Sequence, residues 1–373
     1  MKIAILTQAL RTNYGGILQN YALQVVLKRK GHTVVTLQRN QEMKVNYPRY
    51  ILTLIKRLVL KIAGRYRDPL FYEKKYNEDF PIFTKYTYQF VSKYISYRVY
   101  DNLSAELFES DYDSYVVGSD QVWRPSYNKI EDTFLAFTKG WNVHRYAYAV
   151  SFGTDNWEFT PNQTRICSSL ASLFNFITVR EESGVSLCKN NLNVHAEHVL
   201  DPTLLLHRQD YEDLIANAET TPSQGQLFVH FLDKTDDKNN LVKHIAQSKQ
   251  WKPFSVNCQY DEHELTQPVA TRVQPPIEQW LRSFKDADFV ITDSFHAMVF
   301  SIIFNKPFII YGNKERGLAR FTSLLRMFGL EKRIITCSDE FDIKLCEPIN
   351  YNEVNTKLNG WREKSMSFIN ELD

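Results

Sequence analysis

Apolar residues along this chain fall into short uninterrupted runs, separated by longer stretches in which they recur at helical spacing. Short runs bounded by polar and turn residues read as buried strands, and the intervening pattern reads as amphipathic helix. Strands are therefore predicted at Ile3 to Thr7, Val34 to Leu37, Tyr115 to Val117, Arg145 to Ser151 and Phe176 to Val179. The series resumes at Leu227 to Phe231, Phe254 to Asn257, Phe289 to Ile291 and Phe308 to Tyr311. Helical segments lie between, beginning with Ile17 to Arg29. Such alternation argues for parallel sheets covered by helices on both faces. The predicted class is α/β, with two Rossmann-like domains facing a cleft. Asp201-Pro202 is the natural boundary, giving a first domain at 1–202 and a second at 203–350. The last segment, Tyr351 to Leu372, reads as an amphipathic helix (351–373) crossing back onto the first domain.

The stretch Asp288 to Gly312, DFVITDSFHAMVFSIIFNKPFIIYG, is the sharpest local signal. It reads as strand, tight turn, helix and strand, with Asp293 or Ser294 able to cap the helix and His296 in its first turn. In such units ligands collect beyond the carboxyl ends of the strands, where a helix amino terminus offers free N–H donors to an anion. His296 is thus placed to move a proton, against the plainer alternative of a first-turn histidine that only packs. Three other turns follow strands in the same way. Asn13, Tyr14, Gly15, Gly16 and Gln19 form a first βα turn whose glycines permit close approach of a ligand or another chain segment, though it is not the dinucleotide fingerprint. Ser119, Asp120 and Gln121 project from the next, where the carboxylate is a general base or a helix cap. Arg180 ends another strand, placed to grip a carboxylate or phosphate, or else to pair with Glu181 or Glu182.

Composition narrows the chemistry. With 373 residues, 43% hydrophobic and 24% charged, the chain is globular and too long for one ordinary core. Met1-Lys2 leads straight into a strand-like run rather than a leader, and no run approaches the roughly 20 apolar residues that span a bilayer. The five cysteines are scattered without metal-binding spacing, which fits reduced thiols and a cytoplasmic location. His195-Ala196-Glu197-His198 lacks zinc-protease spacing, and no G-x-S-x-G elbow is present, so metal and acyl-enzyme chemistry are not expected. The net charge of +2 hides a basic stretch: Lys28 to Arg98 holds 16 Lys or Arg and 5 Asp or Glu, an excess of 16 − 5 = +11. No recognition-helix, zinc-finger or RNP pattern accompanies it, so nucleic acid is not the expected partner. Within it, Tyr50 to Gly64 places Ile51, Leu54, Ile55, Leu58 and Ile62 on one helical face, with Lys56, Arg57 and Lys61 around them. Such a helix lies on an anionic membrane or packs against its own protein.

Taken together these pieces resemble the polysaccharide pyruvyl transferase family. The resemblance runs in order from NYGGILQNYALQ through YDSYVVGSDQVW, YAVSFG, VREESG and VLDPTLLL to DADFVITDSFHAMVFSIIFNKPFI and ARFTSLLRMFGL. It implies a glycosyltransferase-B-like fold, with the first domain on the acceptor side and the second on the donor side. It also implies phosphoenolpyruvate as co-substrate, no further cofactor, and a pyruvate ketal built on a sugar of a cell-surface polysaccharide. His296 and Asp120 are then the candidates for giving and taking protons. Asn13, Tyr14, Gly15, Gly16, Gln19, Ser119, Gln121, Arg180, Asp293, Ser294, Arg316 and Arg320 are candidates for binding. One branch of the family has Arg-Leu-His where this chain has Ser294-Phe295-His296, so Arg180, Arg316 or Arg320 would have to supply the missing anion-binding cation. The resemblance further suggests a glycan acceptor carried on a polyprenyl phosphate, reached by peripheral contact of residues 28–98 with the inner membrane face. Two other readings stay open: a nucleotide-sugar glycosyltransferase of the same plan, for which Glu315 would hold the ribose, and a non-catalytic sugar- or phosphate-binding protein.

Overall fold

A computed structural model describes residues 1–312 and 318–372 of the chain. Among them, β1 (Lys2–Leu6), β2 (Thr33–Arg39), β3 (Tyr97–Tyr100), β4 (Ser114–Val117), β5 (His144–Val150), β6 (Phe176–Val179) and β7 (Glu197–His198) form one sheet. A second sheet holds β8 (Leu227–His230), β9 (Pro253–Phe254), β10 (Phe289–Thr292), β11 (Phe308–Tyr311) and β12 (Ile334–Ile335). The first is ordered β3-β2-β1-β4-β5-β6-β7 and the second β12-β11-β10-β8-β9, and every pairing is parallel. The central strands lie where their apolar runs predict them. The departures are β3, β7 and β12, which no apolar run announces, and β9, which is shorter than the predicted Phe254 to Asn257. All four are edge strands. An edge strand pairs on one side and is less covered, so it does not require the apolar run that marks a central strand.

Each sheet has one place where its strand order reverses direction, and both become crevices. In the first sheet the chain leaves β1 toward β2 and β3, then returns to the other side of β1 with β4. Ile3 is therefore flanked by Val34 and Ser114. In the second, β10 returns beside β8, with Ile291 opposite Val229. A helix amino terminus enters each crevice: Tyr14–Arg29 follows β1, and Phe295–Ile303 follows β10. All nine residues of the latter helix are buried, as a helix apolar on every side requires.

The two sheets share much of one core. Buried residues from Ile3 to Leu372 form a continuous cluster, and the Tyr14 ring lies 5.3 Å from that of Trp280 across the junction. The C-terminal helix Tyr351–Asn370 starts against the second sheet, where Tyr351 donates to the carbonyl of Ser301 at 3.3 Å. It ends on the first, where Arg362 donates to the carbonyls of Leu204 and Leu206 and Ser365 Oγ accepts from the Leu200 N–H at 3.0 Å. The basic stretch holds helices Tyr47–Ile62 and Tyr72–Phe83. The second packs against the 259–275 segment: Arg272, fully buried, pairs with buried Asp79, and Tyr76 stacks on His263 at 5.4 Å. The first has no buried residue, so the expectation that its apolar face packs within the protein is overturned.

Arg272→Leu should destabilise the docked unit by roughly 3 kcal/mol, because removing one partner of a buried ion pair strands the other charge. Urea unfolding should show a lowered midpoint, and hydrogen exchange should rise in residues 72–83 before it does in β1. Unchanged protection of that helix would contradict this account of the joint.

Candidate active site

The two crevices open into one cavity of about 820 Å³, large enough for a small phosphorylated ligand together with a sugar. Thr12, Asn13, Tyr14 and Gly15 line it from the first sheet's helix terminus, and Asp293, Ser294, Phe295 and His296 from the second. Asn13 accepts a hydrogen bond from the Gly16 N–H at 3.1 Å, which makes it the cap of its helix. Of the two residues able to cap the other helix, Ser294 does so, accepting from the Ala297 N–H at 3.5 Å. The two helices meet closely. A Cβ on Gly15 would stand 2.0 Å from His296 Nδ1, so the imidazole lies against a position only glycine can fill.

Charge behind this junction is arranged around Arg180. Its side chain is almost wholly buried at the end of β6, donating from Nη1 to Asp201 Oδ2 at 2.9 Å and from Nη2 to Asp120 Oδ1 at 3.3 Å. Neither Glu181 nor Glu182 is its hydrogen-bonded partner, contrary to the expected alternative. Asp201 also accepts from Ser119 Oγ at 3.0 Å and from the N–H and hydroxyl of Thr203 at 3.0 and 2.6 Å. Burial alone would raise the Asp201 pKa, but His296, Arg180 and Thr203 outweigh it and hold the group well below the usual carboxylate range. His296 Nε2 stands 3.6 Å from Asp201 Oδ2, too far for a hydrogen bond, and has no other partner.

Asp120 is not a helix cap. Its backbone has φ 80°, a left-handed conformation uncommon outside glycine, and its carboxylate accepts from the Gln121 N–H at 2.9 Å and from Arg180. Burial pushes its pKa up, yet Arg180, His296 and Arg320 together bring it below the ordinary value. Glu181 differs. Its Oε1 accepts from Ser151 Oγ and the Phe152 N–H at 2.9 and 2.8 Å, while Oε2 is buried without a partner, and burial raises its pKa against the pull of Arg180.

Geometry separates the two described candidate arginines. Arg180 and Arg320 both approach the Phe295 ring, at 4.4 and 5.9 Å from its centroid. Arg180 is neutralised by two carboxylates and does not line the cavity. Arg320 lines it, has no ion pair to a described residue, and leaves Nε buried and unpartnered. Burial, with the neighbouring Arg180, lowers its pKa to about 10, which still leaves a cation at neutral pH.

The remaining candidates divide. Gln121 lines the cavity and meets Gly153, where a Cβ would lie 2.2 Å from its Oε1. Tyr14 spends its hydroxyl on the Pro275 carbonyl at 2.7 Å. Asp293 is committed internally, to Lys238 Nζ at 2.6 Å and to the N–H groups of Leu232 and Asp233 at 2.7 and 3.2 Å. Gln19 and Ser119 lie fully buried behind the wall, Gln19 donating to Thr7 Oγ1 and to the Gly16 carbonyl, both at 2.9 Å. Arg316 and Glu315 lie outside the described residues.

Sequence reasoning missed Asp201 and His230. Each occupies a position that was legible in kind, a polar residue at or just beyond the carboxyl end of a strand. Asp201 coincides with the predicted domain boundary and His230 lies inside an apolar run, so neither announces itself. His230 lines the cavity and accepts from Trp280 Nε1 at 3.2 Å.

A family model for polysaccharide pyruvyl transferase matches residues 13–315, which takes in both helix termini, Arg180, Asp201 and His296. The chain belongs to that family. Solved structures agree on the two-sheet plan. The chain is similar to UGT89C1 of Arabidopsis thaliana complexed with UDP-L-rhamnose, with TM-score 0.51 and 8% identity over 98% of this chain and 94% of that one. It is also similar to MnaA of S. aureus in complex with UDP, with TM-score 0.50 and 10% identity over 100% and 96%. At such identity the likeness is one of fold, a glycosyltransferase-B-like pair of Rossmann-like domains. No curated protein matches the chain significantly.

His230 gives the site a pH signature. Burial lowers its pKa from 6.5 to about 4, so the folded protein holds it neutral where the unfolded chain would protonate it. Its contribution is complete above the unfolded pKa and is lost as pH falls from 6.5 toward 4, a change of about 3 kcal/mol. His230→Asn, whose side-chain oxygen still accepts from Trp280, should flatten the acid limb of stability in that window. Urea midpoints measured across it would show the loss of slope, and an unaltered slope would assign acid sensitivity to other groups.

Proposed function

We propose that this transferase moves pyruvate from phosphoenolpyruvate onto two hydroxyls of one sugar in a polysaccharide precursor. The observation that carries the reading is the convergence, in one cavity, of two helix amino termini, His296, and Arg320, which forms no ion pair to a described residue. Phosphoenolpyruvate brings a phosphate and a carboxylate side by side, and needs fixed cations and N–H donors rather than a single lysine. Arg320 meets one anionic group, and the N–H groups at the starts of Tyr14–Arg29 and Phe295–Ile303 face the other.

The reaction moves two protons and one phosphate. The donor methylene takes a proton and becomes a methyl group, and the first sugar hydroxyl adds to the neighbouring carbon while giving up its proton. Phosphate then leaves with the C–O bonding pair, the second hydroxyl closes the ketal, and its proton departs with the phosphate. In this scheme His296 is the group that passes a proton between the hydroxyl and the donor. Asp201, 3.6 Å from Nε2, is the carboxylate that faces the ring and is read as a positioning residue rather than a proton carrier. Asp120 serves as counter-charge to Arg180, since the same pairing that lowers its pKa makes it a weak base.

Incubation with phosphoenolpyruvate and a galactose- or mannose-type glycan should release phosphate and add an acid-labile pyruvate ketal, read by mass spectrometry. His296→Gln should lower turnover about a hundredfold or more with donor affinity nearly unchanged. Arg320→Ala should instead weaken donor binding by about 1.5–3 kcal/mol, seen as a raised KM. The structures similar in fold were solved with UDP or a UDP-sugar. Hexose transfer from a nucleotide sugar, with no ketal formed, would therefore replace this reading with the glycosyltransferase one.

A further inference from the structure

Among the described residues, the least covered apolar surface is the Tyr47–Ile62 helix. Ile51, Leu52, Ile55, Leu58, Val59 and Ile62 are between 47% and 79% exposed. At 3.6 residues per turn, positions 51, 55, 58 and 62 stack in one stripe, with 52 and 59 alongside. Lys61 falls at one border of the stripe, and Arg49 and Lys56 at the other, all three exposed. Arg57 is turned the opposite way. It donates from Nη1 and Nη2 to the two carboxylate oxygens of Glu73, both at 2.7 Å, and so straps the back of the helix to Tyr72–Phe83. The helix is therefore held with its apolar face outward.

Charge identifies the occupant. From Met43 to Arg67 the chain has seven Lys or Arg and no Asp or Glu. A second copy docking stripe to stripe would bring like charges together along both borders. An anionic bilayer offers the reverse, an apolar interior for the stripe and phosphates for the flanking cations. Among the described residues no helix is long and apolar enough to cross a membrane, so contact would be made in the plane of the headgroups. The strap also relates this surface to the cavity. Three helical positions beyond Glu73, the Tyr76 hydroxyl accepts from Arg11 at 3.2 Å, and Arg11 adjoins Thr12 of the cavity wall.

We propose that the Tyr47–Ile62 helix docks the protein on an anionic lipid surface, its apolar stripe entering between headgroups and Arg49, Lys56 and Lys61 contacting phosphates. Docking itself is independent of the reaction. A second consequence rests on the proposed pyruvyl transfer: this surface would bring the cavity to a glycan carried on a membrane lipid phosphate.

The test is flotation of the full chain with phosphatidylcholine vesicles, with and without phosphatidylglycerol, at low and high salt. The parent is compared with an Ile55→Glu, Leu58→Glu double variant and an Arg49→Glu, Lys56→Glu, Lys61→Glu triple variant. All substituted side chains are exposed, and circular dichroism checks that the fold is kept. The parent should float with phosphatidylglycerol vesicles and lose about tenfold in bound fraction at high salt or on charge reversal. The apolar double variant should float with neither vesicle. A parent that stays unbound to anionic vesicles at low salt overturns the proposal, as does a double variant that floats like the parent. Sedimentation velocity adds one more decisive outcome: a parent dimer that the double variant dissolves, without flotation, assigns the stripe to a second copy. Pyruvyl transfer to a water-soluble glycan is assayed separately on the same proteins, so its failure is distinguishable from failure to dock.

Discussion

A guanidinium almost wholly removed from water is tolerated only where carboxylates meet it, and the site is organised by how Arg180 satisfies that demand. Asp120 comes to it from the turn after β4 and Asp201 from just beyond β7, so one buried cation ties together the carboxyl ends of separate strands. Losing one partner of such a group costs about 3–5 kcal/mol, enough to keep the Asp120 backbone in its left-handed conformation. The same arrangement separates the two described candidate arginines. Arg180 is spent holding the wall, whereas Arg320, sharing the Phe295 ring and forming no ion pair to a described residue, lines the cavity.

Closeness between the two sheets follows from a second constraint, the absence of a side chain at Gly15. Because His296 lies where a Cβ would stand, the amino termini of both helices come within reach of one small anion instead of serving separate pockets. Asp201 then faces His296 across 3.6 Å although the two belong to different sheets. Structural contacts and chemistry share residues here. The glycine that allows the domains to touch also positions the histidine, and the carboxylate that neutralises Arg180 also faces the imidazole.

The Tyr47–Ile62 helix obeys a different logic. Its inner face is fixed by an ion pair, Arg57 with Glu73, and its outer face is covered by no described residue. A stripe of exposed aliphatic side chains bordered by cations has a high cost in water that a folded monomer normally avoids. None of its residues lines the cavity or joins the buried cluster that includes strands of both sheets.

The central strands, the helix opening on His296, the long helix in the basic stretch and the C-terminal helix were all determined by the sequence itself, because each announces its burial pattern locally. The motifs that carry the family resemblance were equally local, being strand ends and the turns after them. Edge strands β3, β7, β9 and β12 were not, since pairing on one side places too little demand on side chains to leave an apolar run. Tertiary structure alone decided the partners of charge: that Arg180 turns to Asp120 and Asp201 rather than to its neighbours Glu181 and Glu182, that Asp293 is taken by Lys238, and that Arg320 is left over. It alone decided that the Tyr47–Ile62 stripe faces outward. A hydrophobic period states how an element will be covered but not by what, and the pairing of charges depends on distances between strand ends that lie tens of residues apart in the chain.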